Sequence, residues 1–221
     1  MFNINHKMAL LYLCIMMLSG CSNNKPEATG SVIILNGPSA VGKSSIMKAF
    51  QAKQQSPWLG IGIDNFFVGL IPPKFYLEDK PEHHVIMHGV ATEDAHGKLF
   101  TLHVGPEGNK IIKGMHQAIA AYARAGNNVI VDYIMYEPAW LADLQKALKG
   151  INVITVGVTA SLTTIEQREK TRATSPQGHA RSLYENVHHG WNYDLKIDTD
   201  NITPDQIADL IIEHIGKNKG K

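Results

Sequence analysis

Residues 37–45, GPSAVGKSS, bring two glycines, a lysine and several hydroxyl groups together in a spacing that suits phosphate binding. The pattern Gly37-x-x-x-x-Gly42-Lys43-Ser44 lies between a β-branched run, SVIILN, and an apolar segment, SSIMKAF. Glycines let such a loop turn its backbone N–H groups towards phosphate oxygens, and the following helix presents its positive N-terminus to the same charge. We expect Lys43 to reach the β- and γ-phosphates of ATP and Ser44 to ligate Mg²⁺.

The loop therefore predicts ATP and Mg²⁺ as cofactors. The expected ATP contacts are Gly37, Pro38, Ser39, Ala40, Val41, Gly42, Lys43, Ser44 and Ser45. Loops of this type bind nucleotides in motors, GTPases and kinases alike, so acidic and basic residues elsewhere in the chain must indicate the reaction.

Two aspartates are expected at the same edge of the sheet as this loop. Asp132 ends the run NNVIVD, where a carboxylate can help Ser44 to hold Mg²⁺, although aspartates also end strands for structural reasons. Asp64 ends a neighbouring run, WLGIGID. In a parallel sheet its carboxylate would stand near the phosphates and accept the proton of an attacking hydroxyl. A capped strand end in a solvated loop is the alternative interpretation.

Two arginines provide the cations expected for phosphoryl transfer. Arg168 and Arg172 in REKTR are four residues apart, so they would share one face of a helix just before a flexible stretch. Guanidinium groups on a lid of this kind stabilise the negative charge that spreads over a transferring phosphoryl group. The alternative is a solvated helix face on which Glu166 and Glu169 pair with the arginines.

From SVIILN onwards, strand-like and helix-like segments alternate, which predicts an α/β fold of three layers and of the P-loop nucleotide-binding type. About five parallel strands should form the sheet, with helices on both faces and ligands at the carboxyl ends of the strands. Residues 65–104 are interpreted as an irregular insertion at that edge. In the last helix, Ile207, Leu210 and Ile211 should face the core.

Composition indicates one globular domain and gives no electrostatic reason to expect nucleic acid as a partner. The chain of 221 residues is 44% hydrophobic and 19% charged, and its formal net charge is +1. Its two cysteines, Cys14 and Cys21, both precede the predicted domain. A disulfide framework or a thiolate metal site within that domain is therefore excluded.

The N-terminal segment has the pattern of a bacterial export signal. A polar stretch ending in Lys7 precedes eleven apolar residues, 8–18, and Ser19-Gly20-Cys21 follows them. The string Leu18-Ser19-Gly20-Cys21 resembles a lipobox. The predicted parts are a signal peptide at 1–20, a lipid on Cys21, a tether at 21–30, the domain at 31–216 and a basic tail at 217–221. The lipid would anchor the protein on the outer side of the inner membrane or in the outer membrane. A cytoplasmic location follows instead if the start of the reading frame is misplaced.

Together these segments resemble the chloramphenicol phosphotransferase-like family of small P-loop kinases. The resemblance covers residues 31–215 and rests on IILNGPSAVGKSSI, PWLGIGIDNF, VGPEGNK, ARAGNNVIVD, ITVGVTAS with QREKTRA, and YDLKIDT. It implies transfer of the γ-phosphoryl group of ATP to a small-molecule hydroxyl group, with Asp64 as the base and with Arg168 and Arg172 as lid arginines. The predicted catalytic set is thus Asp64, Lys43, Arg168 and Arg172.

The chain departs from the family pattern at three points, so the acceptor stays open. Tyr133 stands where the family usually has a second acidic residue, residues 66–104 diverge from the antibiotic kinase, and family members typically lack a lipobox. The chain is more distantly similar to zeta-toxin-type sugar-nucleotide kinases. A lipid-anchored nucleotide-binding protein without phosphotransfer is the alternative function, because it would need the phosphate loop but not Asp64 or the arginines.

The lipobox predicts that Cys21, and not Cys14, carries a lipid. In a bacterial host fed a fatty-acid analogue, the wild-type chain and the Cys14→Ala variant should both be labelled, because only Cys21 follows the small residues Ser19 and Gly20. Cys21→Ala should abolish the label. Label retained by Cys21→Ala would contradict the prediction.

Overall fold

The computed structural model describes residues 28–77, 80–172 and 175–218. Its strands, in chain order, are β1 (Ser31–Asn36), β2 (Trp58–Gly62), β3 (Met87–Asp94), β4 (Gly97–Val104), β5 (Asn128–Tyr133), β6 (Asn152–Thr159) and β7 (Leu195–Asp198). Its helices are α1 (Lys43–Ala52), α2 (Ile63–Phe67), α3 (Lys74–Leu77), α4 (Pro106–Arg124), α5 (Ala139–Ala147), α6 (Leu162–Lys170), α7 (His179–Leu183) and α8 (Pro204–Asn218). One turn of 3₁₀ helix, Pro81–His83, precedes β3.

The predicted signal peptide, Cys21 and most of the tether lie outside the described residues, so lipid attachment stays a prediction. Most of the predicted basic tail, 217–221, lies outside them as well. Within the described ranges, no helix has both the length and the apolar character that a bilayer crossing requires.

A parallel sheet with the strand order β2-β5-β1-β6-β7 forms the centre of the molecule. Its central strands are runs of β-branched residues, which suit strands covered on both faces. Val32, Ile33 and Ile34 of β1, for example, have no exposed surface. The structure confirms the predicted α/β fold with a five-stranded parallel sheet and helices on both faces. We call the edge at which these strands end the carboxyl edge.

Two apolar layers hold the helices against the sheet. On one face, Ile112 and Met115 of α4 lie in the same buried cluster as Leu144 of α5. On the other face, Phe50 of α1 and Ile211 of α8 are fully buried. Each helix contributes one apolar stripe, as amphipathic helices on a sheet do, so both faces of the sheet are shielded from water.

The last helix, α8, differs from its prediction at one residue. Ile207 and Ile211 are buried as expected, but Leu210 is 44% exposed, so the expectation that it faces the core is wrong. An α-helix turns by about 100° per residue, which carries Leu210 roughly a quarter-turn away from Ile211 and off the packed face.

The predicted irregular insertion contains regular structure. Strands β3 and β4 form an antiparallel hairpin in which Met87 pairs with Val104 and Asp94 pairs with Gly97. Gly97 has φ +115°, a left-handed conformation that glycine adopts without strain. The second half of β3 is exposed and polar, so its sequence lacks the apolar alternation that predicts a strand.

The hairpin is fastened to α7 on both sides of Phe100. The backbone N–H of Phe100 donates to the carbonyl of Gly178 (3.2 Å), and Ser182 Oγ donates to the carbonyl of Phe100 (2.8 Å). Near the turn, Arg181 forms an ion pair with Asp94. These contacts place the insertion beside the segment that follows α6.

Ile211→Ala should lower the free energy of unfolding by about 2–5 kcal/mol, because it removes apolar atoms from a buried site and leaves a cavity. Leu210→Ala, on the same helix, is the matched control. It should change that free energy by less than about 1 kcal/mol, since most large losses come from buried positions. Chemical denaturation of both variants measures the difference. Equal losses would show that the packed face of α8 has been misassigned.

Candidate active site

The phosphate loop, residues 37–42, joins β1 to α1 in a restricted conformation. Gly42 is the N-cap of α1 with φ +105°, and Ala40 has φ +60°. A Cβ on Gly37 would stand 2.3 Å from the carbonyl oxygen of Val158, so the loop rests directly on β6. Gly42 has no side chain to cap α1, which leaves the N–H groups of its first turn available to an anion. The predicted ATP contacts, 37–45, form this loop and the first turn of α1.

Lys43 lies inside the loop and is only 5% exposed. Its Nζ donates hydrogen bonds to the carbonyls of Gly37 (2.9 Å) and Pro38 (2.8 Å) and lies 3.6 Å from Asp132 Oδ1. Burial lowers the pKa of Lys43, while the carboxylate of Asp132 acts against burial and favours the charged ammonium. A cation held in this way is placed to bind phosphate oxygens at the mouth of the loop.

Ser44 and Asp132 meet at the carboxyl edge. Ser44 Oγ donates to Asp132 Oδ2 at 2.5 Å, which joins the start of α1 to the end of β5. A hydroxyl and a carboxylate are oxygen ligands of the kind that Mg²⁺ takes, usually together with substrate phosphates and water. These two residues therefore fit Mg²⁺ that is bound jointly with a nucleotide. Across the described ranges, no group of three or more His, Cys, Asp or Glu side chains is placed to hold a metal ion.

Asp64 lies just beyond its strand rather than at the end of it. β2 ends at Gly62, and Asp64 occupies the first turn of α2. The backbone N–H of Gly62 donates to Asn65 Oδ1 at 2.6 Å, a local bond that caps the start of this short helix. The prediction that Asp64 ends the strand is therefore wrong, although the residue still follows β2 directly onto the carboxyl edge.

The surroundings of Asp64 suit a proton acceptor. Asp64 is exposed to solvent, but the surrounding protein partly desolvates its carboxyl group. Burial raises the pKa of the Asp64 carboxyl and the charge of Asp132 raises it further, whereas Lys43 and Arg172 lower it. A raised pKa means stronger proton binding, as a general base requires. Unlike Asp132, the Asp64 carboxylate accepts no hydrogen bond from any residue that the structure describes.

The two predicted lid arginines do not share a helix face. α6 ends at Lys170, so Arg172 lies past the helix. Arg168 donates from Nη1 to Thr199 Oγ1 (2.8 Å) and to the carbonyl of Val41 (3.2 Å), and from Nη2 to the carbonyl of Thr199 (2.9 Å). The prediction of paired lid arginines is therefore wrong in its geometry, and Arg168 braces the phosphate loop against the end of β7.

Arg172 is the arginine whose charge reaches the site. It lies in an exposed position after α6, and its positive charge acts on the pKa values of Lys43, Asp64 and His179. A guanidinium in this position can meet the negative charge of a nucleotide phosphate in a planar, two-pronged contact. Of the two predicted cations, Arg172 is thus the one that remains available to a substrate.

Glu169 has a buried role that the sequence did not indicate. It was expected, as one alternative, on a solvated helix face, but it is only 3% exposed. Its two carboxylate oxygens accept hydrogen bonds from the backbone N–H groups of Gly178 and Ala180, each at 2.7 Å. A buried carboxylate is tolerated only when it is bonded in this manner. Nothing in the spacing of REKTR distinguishes this glutamate from an exposed one.

Tyr136 and His179 also lie at the site without having been predicted. The Tyr136 hydroxyl oxygen lies 3.1 Å from His179 Nε2, and the two rings are parallel within 6°. The residues are 43 positions apart, one after β5 and the other at the start of α7. Only the packing of these two segments joins them, so no local pattern could have indicated the pair.

Tyr133, which replaces the second acidic residue expected from the family resemblance, faces the core. Its side chain is fully buried, and its hydroxyl oxygen lies 3.0 Å from His116 Nε2, while His116 Nδ1 lies 2.7 Å from Asp143 Oδ2. Successive residues of a strand point to opposite faces, so Asp132 and Tyr133 point in different directions. The departure at residue 133 therefore affects the interior rather than the phosphate loop.

Comparisons with known proteins agree with this geometry. The family described as "Chloramphenicol phosphotransferase-like protein" matches residues 30–216. The chain belongs to this family. The Mycobacterium tuberculosis (strain ATCC 25618 / H37Rv) protein named "Putative O-phosphotransferase Rv2636" is 33% identical to it over 171 residues, which are 77% of this chain and 75% of that protein. The resemblance inferred from the sequence is thereby confirmed.

Solved structures share the fold at low sequence identity. The Mycobacterium tuberculosis APS kinase CysC, in complex with AMPPNP and APS, has a TM-score of 0.59 and 17% identity, and the match covers 85% of this chain and 98% of that one. The Deinococcus radiodurans tunicamycin resistance protein has a TM-score of 0.57 and 20% identity, with coverage of 85% and 96%. Family and fold together make the chain a nucleotide-binding phosphotransferase of the P-loop kinase type.

Lys43→Ala should weaken binding of Mg·ATP by about 10- to 150-fold, because a charge-assisted hydrogen bond contributes about 1.5–3 kcal/mol. Lys48→Ala is the matched control, since Lys48 lies on the same helix with its side chain exposed, and its affinity should match that of the wild type. Isothermal titration calorimetry measures both. Equal affinities for the wild type and Lys43→Ala would contradict the role of this lysine.

Proposed function

We propose that the protein transfers the γ-phosphoryl group of ATP to a hydroxyl group of a small molecule. The observation that carries the proposal is the division between two carboxylates at the carboxyl edge. Asp132 is engaged by Ser44 and Lys43, whereas Asp64 accepts no hydrogen bond within the described part of the chain. Asp132 therefore interacts with the phosphate loop and Lys43, whereas the carboxylate of Asp64 is available to accept a proton.

The residues on the phosphate side would hold the nucleotide in a fixed orientation. Lys43 and the first-turn N–H groups of α1 would bind the phosphates from the loop, and Arg172 would approach them from the exposed side. Ser44 and Asp132 would hold Mg²⁺. When bound, Mg²⁺ neutralises negative charge on the β- and γ-phosphates. Fixed donors of this kind stabilise the transferring group without having to reorganise during the reaction.

Asp64 acts on the acceptor in the transfer step. The acceptor hydroxyl oxygen forms a bond to the γ-phosphorus while the bond from that phosphorus to the leaving oxygen of ADP breaks. The hydroxyl proton passes to the Asp64 carboxylate, whose raised pKa increases its proton affinity. Lys43 and Arg172 stabilise the negative charge of the phosphoryl group from two directions.

The comparisons support an oxygen acceptor and leave its identity to experiment. The family is named after phosphotransfer to chloramphenicol, and the relative from M. tuberculosis is named as an O-phosphotransferase. The β3–β4 hairpin follows β2 and α2 in the chain and is fastened to α7, so we expect it to contribute to the acceptor site. Chloramphenicol is therefore one member of the acceptor panel and not the assumed substrate.

Asp64→Asn should lower phosphoryl transfer by about 10² to 10⁴-fold while affinity for Mg·ATP stays within a few-fold, because asparagine keeps the shape of aspartate but takes no proton. Asp132→Asn should weaken Mg·ATP binding as well, since it loses a metal ligand. ADP formation is measured with amphenicols, aminoglycosides, nucleosides and amino sugars, and binding is measured by calorimetry. The control is Asp209→Asn, an exposed carboxylate paired with Lys53 on the surface.

Two outcomes would count against this assignment in different ways. If Asp64→Asn transfers phosphate at the wild-type rate, Asp64 is not the base and Asp132 becomes the candidate. If the wild type binds ATP but consumes none with any acceptor, the chain is better described as a nucleotide-binding protein without phosphotransfer.

A further inference from the structure

Two parallel aromatic rings, those of Tyr136 and His179, meet at the carboxyl edge. Tyr136 and His179 are parallel within 6°, their ring centroids are 5.8 Å apart, and their polar edges meet at 3.1 Å. Both side chains are partly buried. We call this pair the Tyr136–His179 wall. Tyr136 follows Asp132 by four residues, so the wall begins where β5 leaves the carboxyl edge.

Each ring of the wall contacts a further aromatic ring. Trp140 meets the Tyr136 ring edge-on, with centroids 5.9 Å apart, and Phe100 of the hairpin meets the His179 ring edge-on at 6.2 Å. Edge-to-face contacts of this kind favour one ring orientation over others. The wall therefore keeps its shape through contacts with α5 on one side and with β4 on the other.

Glu169 fixes the backbone on either side of His179. The N–H groups of Gly178 and Ala180 both donate to the Glu169 carboxylate, and these residues flank His179 in the chain. Gly178 has φ +90°, and a Cβ there would stand 2.4 Å from the carbonyl oxygen of Lys98, so the position requires glycine. The start of α7 is thus locked, and with it the imidazole that α7 carries.

The charges of the phosphate side act on both rings of the wall. Burial raises the pKa of Tyr136, and the carboxylates of Asp64 and Asp132 raise it further. Burial also lowers the pKa of His179, and Lys43 and Arg172 act in the same direction. Both rings are therefore uncharged near neutral pH, although they stand within reach of charged groups on the phosphate side.

We propose that the Tyr136–His179 wall binds the acceptor, packing against an uncharged, ring-shaped, hydroxyl-bearing molecule and holding its hydroxyl towards Asp64. This inference rests on the proposed function. Flat apolar ring faces bind the ring of such a molecule, and the hydroxyl and imidazole at the polar edges hydrogen-bond to its substituents. The wall carries no positive charge that could form an ion pair with a phosphate or carboxylate on the acceptor.

The test compares substitutions in the wall with one far from it. Steady-state kinetics on the full chain use chloramphenicol and two matched pairs of acceptors, adenosine with AMP and glucose with gluconate. Tyr136→Ala and His179→Ala should lower kcat/KM for the neutral acceptors by about 10- to 100-fold. KM for ATP should stay within about two-fold, because the phosphate loop, Ser44 and Asp132 are unchanged in both variants. Tyr122→Ala, an exposed tyrosine on α4, is the control and should change neither value.

A conservative substitution separates the acceptor contact from a purely structural role. Tyr136→Phe keeps the flat ring, so it should recover much of the loss in Tyr136→Ala and leave a deficit of about tenfold or less from the missing hydrogen bond. Melting temperatures of all variants show whether each one folds. If the loss of kcat/KM in Tyr136→Phe and Tyr136→Ala follows only the fall in their melting temperatures, the ring contacts no acceptor. That result would overturn the proposal.

The remaining outcomes distinguish this proposal from the proposed function. If the wild type phosphorylates neutral acceptors and every wall variant does so equally well, the wall is wrongly assigned while phosphotransfer stands. If only AMP or gluconate is phosphorylated, the acceptor class is wrong. If the wild type consumes no ATP with any compound, both the acceptor wall and the proposed function are overturned.

Discussion

The register of three parallel strands determines where the chemistry lies. Asp132 of β5 pairs with Leu35 of β1 on one side and with Gly62 of β2 on the other. The phosphate loop begins two residues after Leu35, and Asp64 lies two residues after Gly62. Both therefore lie just beyond the sheet at the same height as the end of β5, where Asp132 is. A slip of one residue would turn Asp132 to the opposite face of the sheet and separate it from Ser44.

Two consecutive residues of α6 connect the phosphate side to the acceptor side. Arg168 braces the phosphate loop through Val41, and Glu169 anchors the start of α7 through backbone N–H groups. α7 in turn holds the hairpin through Phe100. Both α6 side chains carry charges that are costly to bury, and the hydrogen bonds that satisfy them also fix the geometry of the site. The hydrogen bonds of Arg168 and Glu169 therefore both stabilise the fold and position the phosphate loop and α7.

The sheet and the phosphate loop could be predicted because their signals are local. β-branched runs indicate buried strands, and the spacing from Gly37 to Ser44 indicates the loop. The boundary at Asp64 was missed because one bond, from Gly62 N–H to Asn65 Oδ1, starts a helix there. The hairpin was missed because half of β3 is exposed and carries no apolar alternation.

Other parts of the site depend on contacts between distant segments, which a single sequence does not display. Glu169 meets backbone groups 9 and 11 residues away, across a loop whose path no pattern predicts. Tyr136 and His179 are 43 residues apart and meet only because α7 packs beside the end of β5. Arg168 was predicted as a cation for substrate, but the carbonyls that it binds are revealed only by the fold.

The proposed reaction delivers the γ-phosphoryl group of ATP to a hydroxyl of a small molecule and not to water. ³¹P NMR of the full chain with ATP, Mg²⁺ and chloramphenicol, adenosine or glucosamine in turn follows that group directly. We expect a new phosphate-monoester signal, split by the acceptor's own C–H protons, that grows in step with ADP. Release of inorganic phosphate alone, or no loss of ATP with any acceptor, would contradict it.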